Sequence, residues 1–319
     1  MFFIIICVII TKLSESEKNT KKELSLYGLS LRKDTYLMVV PKKAVTINDI
    51  SGMGRCSVTV ACPILSASGI ETSVLPTALL STHTGGFDGF SFLDLTDEMN
   101  KIIKHWETLD ISFDAIYSGY LGSLSQIETV DTFINKFKKE NTIVIVDPVM
   151  GDAGKFYSGF TTEYINGMRK LCSKADIIVP NITEALFLLD EPFTDGPYTI
   201  DYIKSLIKKI ADIGSKKIVL TGVHFDDIEV GAASYDSETD TFSIHLAPKV
   251  EGFYHGTGDV FASVLLSSVL NGFDLGKATE NAVKFTHGAI VRTKKANTDT
   301  RYGVLFEQEV PNLIKILGL

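Results

Sequence analysis

The chain lacks the features that mark membrane-spanning and nucleic-acid-binding proteins. Its 319 residues include 31 Lys and Arg against 39 Asp and Glu, which gives a formal net charge of −8 at pH 7. Because nucleic-acid binding requires a basic surface, this balance argues against such a partner. The apolar run Phe2–Ile10 is shorter than the roughly 20 residues that a membrane-spanning helix needs. It also follows no basic residue and precedes no clear cleavage site, so it makes a poor signal peptide. We therefore expect neither a nucleic-acid nor a membrane partner.

Cysteine is also scarce, and its spacing argues against the common zinc sites. The chain has no C-x-x-C pair, and no histidine stands near a cysteine at metal-ligand spacing; the four cysteines are Cys7, Cys56, Cys62 and Cys172. Scattered thiols of this kind are typical of buried, reduced cysteines in the cytosol. With 45% hydrophobic and 22% charged residues, the composition is that of a globular protein. We predict a cytoplasmic location.

The N-terminal part of the chain differs in composition from the rest. Residues 14–33 are polar and charged, which is typical of disordered or weakly helical segments. We predict that residues 1–37 are a disordered or non-native extension, and that the folded part starts near Met38. Since no repeat, low-complexity tract or clear linker interrupts residues 38–319, we predict a single domain there.

From residue 43 onward, short apolar runs alternate with segments of helical periodicity. The clearest strand pattern is the β-branched run Thr142–Val146, which ends at Asp147. The predicted helices include Ser57–Ser68, Thr162–Cys172 and Ile182–Leu189. This alternation predicts an α/β fold with a central, mostly parallel sheet and helices on both faces.

Polar residues collect where the predicted strands end. Those that directly follow apolar runs are Asn48-Asp49, Ser118-Gly119-Tyr120, Asp147, Asn181 and Thr221. Right-handed crossovers bring the carboxyl ends of parallel strands to one edge, where open α/β sheets bind ligands. Loops are polar in any protein, but such residues directly after buried strands favour a functional edge.

The run Gly256-Thr257-Gly258-Asp259 opens a long apolar-periodic segment, so it is expected to form the first turn of a helix. Glycines allow a ligand to approach the backbone closely, and the unpaired N–H groups of a helix start suit a phosphate. A carboxylate beside that anion site can accept a proton from an alcohol that attacks phosphorus. The alternative is an ordinary Asp near a helix start after a glycine turn.

Four other segments are candidates for ligand contact. The Gly-rich segment Asn48–Gly54, taken as a turn after the first strand, lacks the spacing of a P-loop and better suits a small polar substrate. Ser81–Gly86 places a histidine between hydroxyls, before two glycines, and can line a pocket. Asp147–Asp152 and the pair Asn181 with Glu184 supply oxygen ligands that suit Mg²⁺. For each, turn or capping chemistry is the competing interpretation.

Taken together, these residues resemble the ribokinase-like superfamily and, within it, the pyridoxal kinases. The resemblance covers about residues 43–295. It rests on Ser81-Thr82-His83-Thr84-Gly85, Ser118-Gly119-Tyr120-Leu121-Gly122, Asp147-Pro148-Val149-Met150-Gly151-Asp152, Pro180-Asn181-x-x-Glu184 and Gly256-Thr257-Gly258-Asp259. The last run is shared across the superfamily, whereas the first two point to pyridoxal kinases.

The resemblance implies a kinase that uses ATP and Mg²⁺, and K⁺ as a further candidate cofactor. Asp259 would accept the proton of the substrate 5′-hydroxymethyl group, and the amides of Gly256, Thr257 and Gly258 would form an anion hole. The implied substrate residues are Asp49, Ser51, Leu80, His83, Thr84 and Tyr120. The implied nucleotide residues are Asp152, Asn181, Thr221, Gly222, Gly256 and Gly258. Asp147 and Glu184 would organise Mg²⁺ through water, and the family implies a homodimer.

One departure from the family pattern keeps two alternatives open. Asn48-Asp49-Ile50-Ser51-Gly52 stands where many pyridoxal kinases have a Ser-His pair, and it is similar to the Asp-x-Ser-Gly of hydroxymethylpyrimidine kinases. Those kinases often have Cys in place of Asp259 and lack the His-Thr-Gly run. A hydroxymethylpyrimidine kinase is therefore the first alternative, and a non-catalytic B6-binding protein is the second.

Overall fold

The computed structural model describes residues 40–157 and 160–319. Its main sheet has nine strands in the order β11-β10-β9-β8-β5-β4-β1-β2-β3, and β6 pairs with β7 in a separate hairpin. The strands are β1 Lys42–Met53, β2 Ile70–Thr82, β3 Phe92–Asp94, β4 Ala115–Ser118, β5 Ile143–Val146, β6 Gly151–Asp152, β7 Lys155–Phe156, β8 Ile177–Ile178, β9 Lys217–Val223, β10 Glu229–Asp236 and β11 Thr241–Pro248.

The strands of the main sheet are parallel from β2 to β9. The pairs β1/β2, β1/β4, β4/β5, β5/β8 and β8/β9 are parallel, whereas β3, β10 and β11 pair antiparallel. The parallel strands therefore end at one edge of the sheet, and the mostly parallel sheet predicted from the sequence is confirmed.

Helices pack on both faces of this sheet, also as predicted. They are α1 Val58–Ala67, α2 Thr96–Trp106, α3 Leu124–Phe137, α4 Thr162–Cys172, α5 Ile182–Leu189, α6 Ile200–Ala211, α7 Thr257–Leu270, α8 Leu275–Ala296 and α9 Val310–Leu317. Strand β5 contributes buried side chains to both faces of the sheet. Val144 and Val146 join the core beneath α2 to α6, while Ile145 joins the core beneath α1 and α7 to α9.

The helix boundaries follow the sequence signals closely, but one predicted turn is wrong and several short elements were not predicted. Helices α4 and α5 have the predicted bounds. The segment Asn48–Gly54 is not a turn after the first strand, because β1 continues to Met53 with a bulge between Asn48 and Ile50. Strand β3, the hairpin of β6 and β7, and helix α9 were not predicted.

The predicted extension over residues 1–37 lies outside the described residues, and the single domain over residues 38–319 stays a prediction. Across the part of the chain that the structure describes, no helix combines the length and the apolar character needed to cross a bilayer.

Candidate active site

Helix α7 begins at the glycine run, as the sequence predicted. Gly256 is the residue before the first turn, and its φ of 73° lies in the left-handed region that favours glycine. A Cβ on Gly256 would also lie 2.1 Å from the carbonyl oxygen of Arg55. Only glycine therefore fits between the start of α7 and the segment that leads into α1.

The first turn of α7 leaves its backbone amides open. No side chain of the described residues caps this helix start. Gly258 is exposed, so the amides of the first turn can reach a ligand. Uncapped N–H groups and the helix dipole together favour an anion such as a phosphoryl group.

Asp259 stands in this first turn and is partly buried. Burial raises its pKa to about 7, and the negative charge of Asp49 adds to the rise, while the backbone amide of Ser57 opposes it. A carboxylate with a pKa near neutrality can both accept a proton and release it at physiological pH. The environment of Asp259 thus suits a general base.

Asp147 directly follows β5 and lies beside the start of α7. An ideal Cβ on Gly258 would be 3.9 Å from Asp147 Oδ2. Burial raises the pKa of Asp147 well above its usual value, and the charges of Glu184 and Asp259 raise it further. Three carboxylates thus interact electrostatically beside the anion site.

Glu184 and Asn181 form a capping box at the start of α5. The side chain of Asn181 accepts a hydrogen bond from the Glu184 amide at 2.9 Å, and Glu184 Oε2 accepts one from the Asn181 amide at 2.9 Å. Glu184 Oε1 accepts a third from the Met150 amide at 3.1 Å. Burial nevertheless raises the pKa of Glu184. The capping interpretation of this pair is therefore correct, and it leaves a role in metal binding open.

The carboxylates fit a hydrated magnesium ion better than a directly caged metal. Within the described ranges, no three His, Cys, Asp or Glu side chains are grouped to hold a metal by themselves. Nor does any Lys, Arg or His of residues 40–157 and 160–319 pair with Asp147, Glu184 or Asp259. Buried carboxylates without a partner cation suit Mg²⁺, which keeps several waters and completes its shell with substrate phosphates.

The proposed nucleotide residues lie at the ends of neighbouring strands. Asn181 and Thr221 form an isolated parallel bridge, and Thr221 donates its amide proton to the carbonyl of Pro180 at 2.9 Å. Asn181 Nδ2 donates to the carbonyl of Gly151 at 2.8 Å, next to the exposed Asp152 of β6. Gly222 follows Thr221, is exposed, and has a φ of 77°. The fold thus groups these residues at one edge.

Asn48 holds the Ser118-Gly119-Tyr120 segment, which includes the predicted substrate residue Tyr120. Its Oδ1 accepts a hydrogen bond from the Tyr120 amide at 2.9 Å. A Cβ on Gly119 would lie 2.1 Å from that same oxygen, so the motif requires glycine there. This contact joins β1 to the segment that follows the neighbouring strand β4, while β1 itself continues through its pairing with β2.

Asp49 and Ser51 are buried in the extended part of β1. Asp49 accepts hydrogen bonds from Ser51 Oγ at 3.0 Å and from Ser57 Oγ at 2.5 Å. Burial raises the pKa of Asp49, and these two bonds oppose the rise. Ser51 pairs with Leu80 of β2, which is also buried. The three residues of these strands that were predicted to bind substrate are therefore close together.

His83 has both ring nitrogens engaged by the protein. Its Nδ1 accepts a hydrogen bond from the Gly85 amide at 3.1 Å, and its Nε2 is 2.5 Å from the carbonyl oxygen of Arg301. Nε2 therefore carries the proton. His83 offers a ring face or edge to a ligand rather than a hydrogen bond, while the neighbouring Thr84 is exposed.

Three residues at this site were not singled out from the sequence. Ser57 donates a hydrogen bond to Asp49, His255 lies 4.9 Å from His83 between ring centroids, and the carbonyl oxygen of Arg301 accepts a hydrogen bond from His83. Because His255 directly precedes Gly256, its place in the sequence could have marked it as a site residue. Ser57 and Arg301 act through contacts between distant segments, which spacing along the chain does not reveal.

Comparison with known proteins identifies one family. A family model described as phosphomethylpyrimidine kinase matches residues 65–304. The chain is 41% identical to a Bacteroides thetaiotaomicron protein provisionally assigned as a phosphomethylpyrimidine kinase, whose crystal form contains pyridoxal. That match covers 86% of this chain and 96% of the other, with a TM-score of 0.82.

Two similar proteins are pyridoxal kinases. The enzyme from Lactobacillus plantarum is 30% identical, with a TM-score of 0.80, over 86% of this chain and 97% of the other. The enzyme from Dictyostelium discoideum is 30% identical over 199 residues, which is 58% of this chain. The matched region spans 64% of the Dictyostelium protein, slightly less than two thirds of its length.

Proposed function

The chain belongs to the phosphomethylpyrimidine kinase family of the ribokinase-like superfamily, and from this premise we propose that it is a pyridoxal kinase. It would transfer the γ-phosphoryl group of ATP to the 5′-hydroxymethyl group of pyridoxal, pyridoxamine or pyridoxine. The observation that carries the proposal is Asp259, a carboxylate with a pKa near 7 in the first turn of an uncapped helix.

In the proposed reaction, each bond and proton is accounted for by the two substrates and Asp259. The substrate hydroxyl oxygen forms a bond to the γ-phosphorus, the bond from that phosphorus to the bridging oxygen of ADP breaks, and Asp259 receives the hydroxyl proton. The amides of Thr257 and Gly258 would stabilise the charge on the transferring oxygens. Mg²⁺, held near Asp147 and Glu184, would neutralise phosphate charge. K⁺ remains a candidate cofactor by family resemblance alone.

The substrate assignment favours B6 vitamers over hydroxymethylpyrimidine. It is supported by the pyridoxal in the Bacteroides structure and by the two relatives named pyridoxal kinase. The second candidate, hydroxymethylpyrimidine phosphorylation, is favoured by Asp49-Ile50-Ser51-Gly52 and by the description of the family model. We further propose that the protein works as a homodimer in the cytoplasm, without a nucleic-acid or membrane partner.

A substrate panel tests this function. The full chain is incubated with ATP and Mg²⁺ and, separately, pyridoxal, pyridoxamine, pyridoxine or hydroxymethylpyrimidine, and each phosphorylated product is quantified by chromatography. We expect kcat/KM to be higher for at least one B6 vitamer than for the pyrimidine. Preference for the pyrimidine would favour the second candidate. ATP-dependent phosphorylation of none of them would overturn both.

A further inference from the structure

The loop that connects β2 to β3, residues 83–91, lies against the start of α7. An ideal Cβ on Gly85 of this β2–β3 loop would lie 2.6 Å from Cε1 of His255, which directly precedes Gly256. The ring of His83 also packs on His255, with 4.9 Å between the ring centroids. The β2–β3 loop thus borders the helix start at which the phosphoryl group is proposed to bind.

Arg301 contacts this loop with both its side chain and its backbone. Its guanidinium carbon lies 5.2 Å from the ring centroid of Phe87, within the range in which a cation is attracted to an aromatic face. Its Nη1 donates a long hydrogen bond to the carbonyl of Gly86 at 3.4 Å, and its own carbonyl accepts one from His83 Nε2 at 2.5 Å. Arg301 therefore engages three residues of the loop.

The side chain of Arg301 is held in one orientation. Gly86 leaves room for it, since an ideal Cβ on Gly86 would lie 3.2 Å from Cγ and Cδ of Arg301. The carboxylate of Asp299 binds the guanidinium at two points, with 3.1 Å from Nε to Oδ1 and 2.6 Å from Nη2 to Oδ2. Because a bidentate pair fixes the plane of a guanidinium, Asp299 keeps Arg301 directed at the loop.

The segment Asp299–Gly303 is itself anchored near the start of α7. The carbonyl of Tyr302 accepts a hydrogen bond from the amide of Arg55 at 2.9 Å. The carbonyl of Arg55 in turn lies against Gly303 and Gly256, because an added Cβ on either glycine would clash with it. One short segment of the chain therefore contacts both the β2–β3 loop and the backbone that packs on α7.

A stabilising ion pair at the surface is the competing interpretation of Arg301. The side chains of Arg301 and Asp299 are 52% and 38% exposed, and ion pairs at such exposure contribute little to the stability of a protein. Global stability alone therefore does not account for a guanidinium that also packs on Phe87 and fits against Gly86.

We propose that Arg301 is a positioning residue that holds the β2–β3 loop beside the start of α7 and thereby sets the affinity for the alcohol substrate. This inference rests on the proposed kinase function, in which His83 and Thr84 of the loop bind the vitamer. Without the guanidinium, the loop keeps the bond from His83 to the backbone of residue 301 but adopts other positions as well. Because only a fraction of the molecules then presents the loop correctly, the apparent affinity for the vitamer falls by that fraction.

Substitutions at Arg301 separate vitamer binding from the other properties of the enzyme. For Arg301→Ala we expect KM for pyridoxal to rise about 10-fold, which corresponds to about a tenth of the molecules holding the loop in place. The kcat at saturating pyridoxal and the KM for ATP should stay near the wild-type values, because uniform binding of one substrate is what is lost. Arg301→Lys keeps the charge but not the fork that pairs with Asp299, so its KM for pyridoxal should lie between the two. Tm should change little in either variant.

The matched control is Arg169→Ala. Arg169, in the last turn of α4, also donates to a backbone carbonyl of another element, that of Leu188 at 2.6 Å. Its loss should leave KM for pyridoxal unchanged. A wild-type KM for pyridoxal in Arg301→Ala would overturn the inference, and so would an equal rise in the KM for ATP.

Hydrogen exchange tests the contact without using activity. Amide exchange in peptides that span residues 83–88 is compared between wild type and Arg301→Ala by mass spectrometry. If Arg301 holds the loop, exchange there is faster in the variant, while peptides from α6 exchange equally in both proteins. Equal exchange in the loop would overturn the inference. If wild type phosphorylates no vitamer but the loop exchanges faster in the variant, the proposed function fails while the role of Arg301 in holding the loop stands.

Discussion

Helices α5 and α7 both begin in the candidate active site, and their first turns are built in opposite ways. At α5, Asn181 and Glu184 satisfy each other's amides in a capping box. At α7, Gly256 supplies no side chain, and no described residue caps the turn in its place. The sequence thus completes the hydrogen bonds of one helix start and leaves those of the other for a ligand.

The same contrast holds for the carboxylate in each first turn. Glu184 is buried and accepts hydrogen bonds from two amides, those of Asn181 and Met150. Asp259 is partly exposed, and burial raises its pKa to about 7. A carboxylate that is fully engaged holds structure, whereas one with a free face can exchange a proton with a substrate. Substitutions at the two helix starts should therefore affect different properties.

Among substitutions that leave Asp259 itself unchanged, the largest effect is expected when the close fit at α7 is broken. Gly256→Ala forces a Cβ against Arg55 and strains a residue with positive φ. We expect kcat/KM to fall roughly 100-fold or more, because the amides and Asp259 move relative to the substrate. Tm should fall as well.

The control for this variant lies at the other end of the same helix. Gly272 has a φ of 89°, and no described atom lies within 4 Å of an ideal Cβ there. Gly272→Ala should lower Tm through backbone strain but keep kcat/KM. Equal losses of kcat/KM in the two variants would show that the fit to Arg55 has no special role.

Gly258→Ala tests the anion site at the start of α7 without a steric clash inside the protein. The nearest atom to an added Cβ is Asp147 Oδ2 at 3.9 Å, and Gly258 has no positive φ. Alanine favours helix over glycine, so Tm should stay equal or rise. The methyl group would occupy space that the phosphoryl group needs, and we expect kcat/KM to fall about 10-fold. Unchanged kinetics would argue against an anion site at this turn.

Glu184→Gln tests whether the capped helix start also helps to hold magnesium. Glutamine can replace glutamate in a capping box, so Tm should change little. Loss of the charge should raise the Mg²⁺ concentration for half-maximal activity about 10-fold, as expected for groups that orient metal ligands. An unchanged Mg²⁺ requirement, measured at saturating ATP, would restrict Glu184 to capping.

The smallest expected effect is on stability and its dependence on pH. The pKa of Asp259 is about 7 in the folded protein, against about 3.9 in the unfolded chain. Between these values the folded state binds more protons, so ionisation of Asp259 lowers stability as pH rises. Asp259→Asn should therefore raise Tm at pH 8 and have little effect near pH 4. A pH-independent difference in Tm would contradict the raised pKa.

The sequence predicted the regular elements better than the contacts between them. Helix α5 was placed correctly because its capping box and apolar periodicity are both local. The segment Asn48–Gly54 was misread as a turn because its pairing with β2, which runs on to Met53 opposite Thr82, joins residues far apart along the chain. Strand β3 is only three residues long, too short for a period to be visible.

In the candidate site, too, local features were predicted and contacts between distant segments were not. The start of α7 was predicted from four consecutive residues. Ser57 was not, because its hydroxyl bonds Asp49, which lies on another element 8 positions away along the chain. Nor could the sequence reveal that both ring nitrogens of His83 are occupied, one of them by Arg301.

The role of Asp259 as the base is tested most directly by measuring two properties of Asp259→Asn in parallel. One is kcat for pyridoxal phosphorylation at saturating ATP and Mg²⁺, and the other is the Kd for ATP by calorimetry. If Asp259 is the base beside an anion site, kcat falls by about 10²- to 10⁴-fold while Kd changes little. A kcat close to that of the wild type would contradict the account.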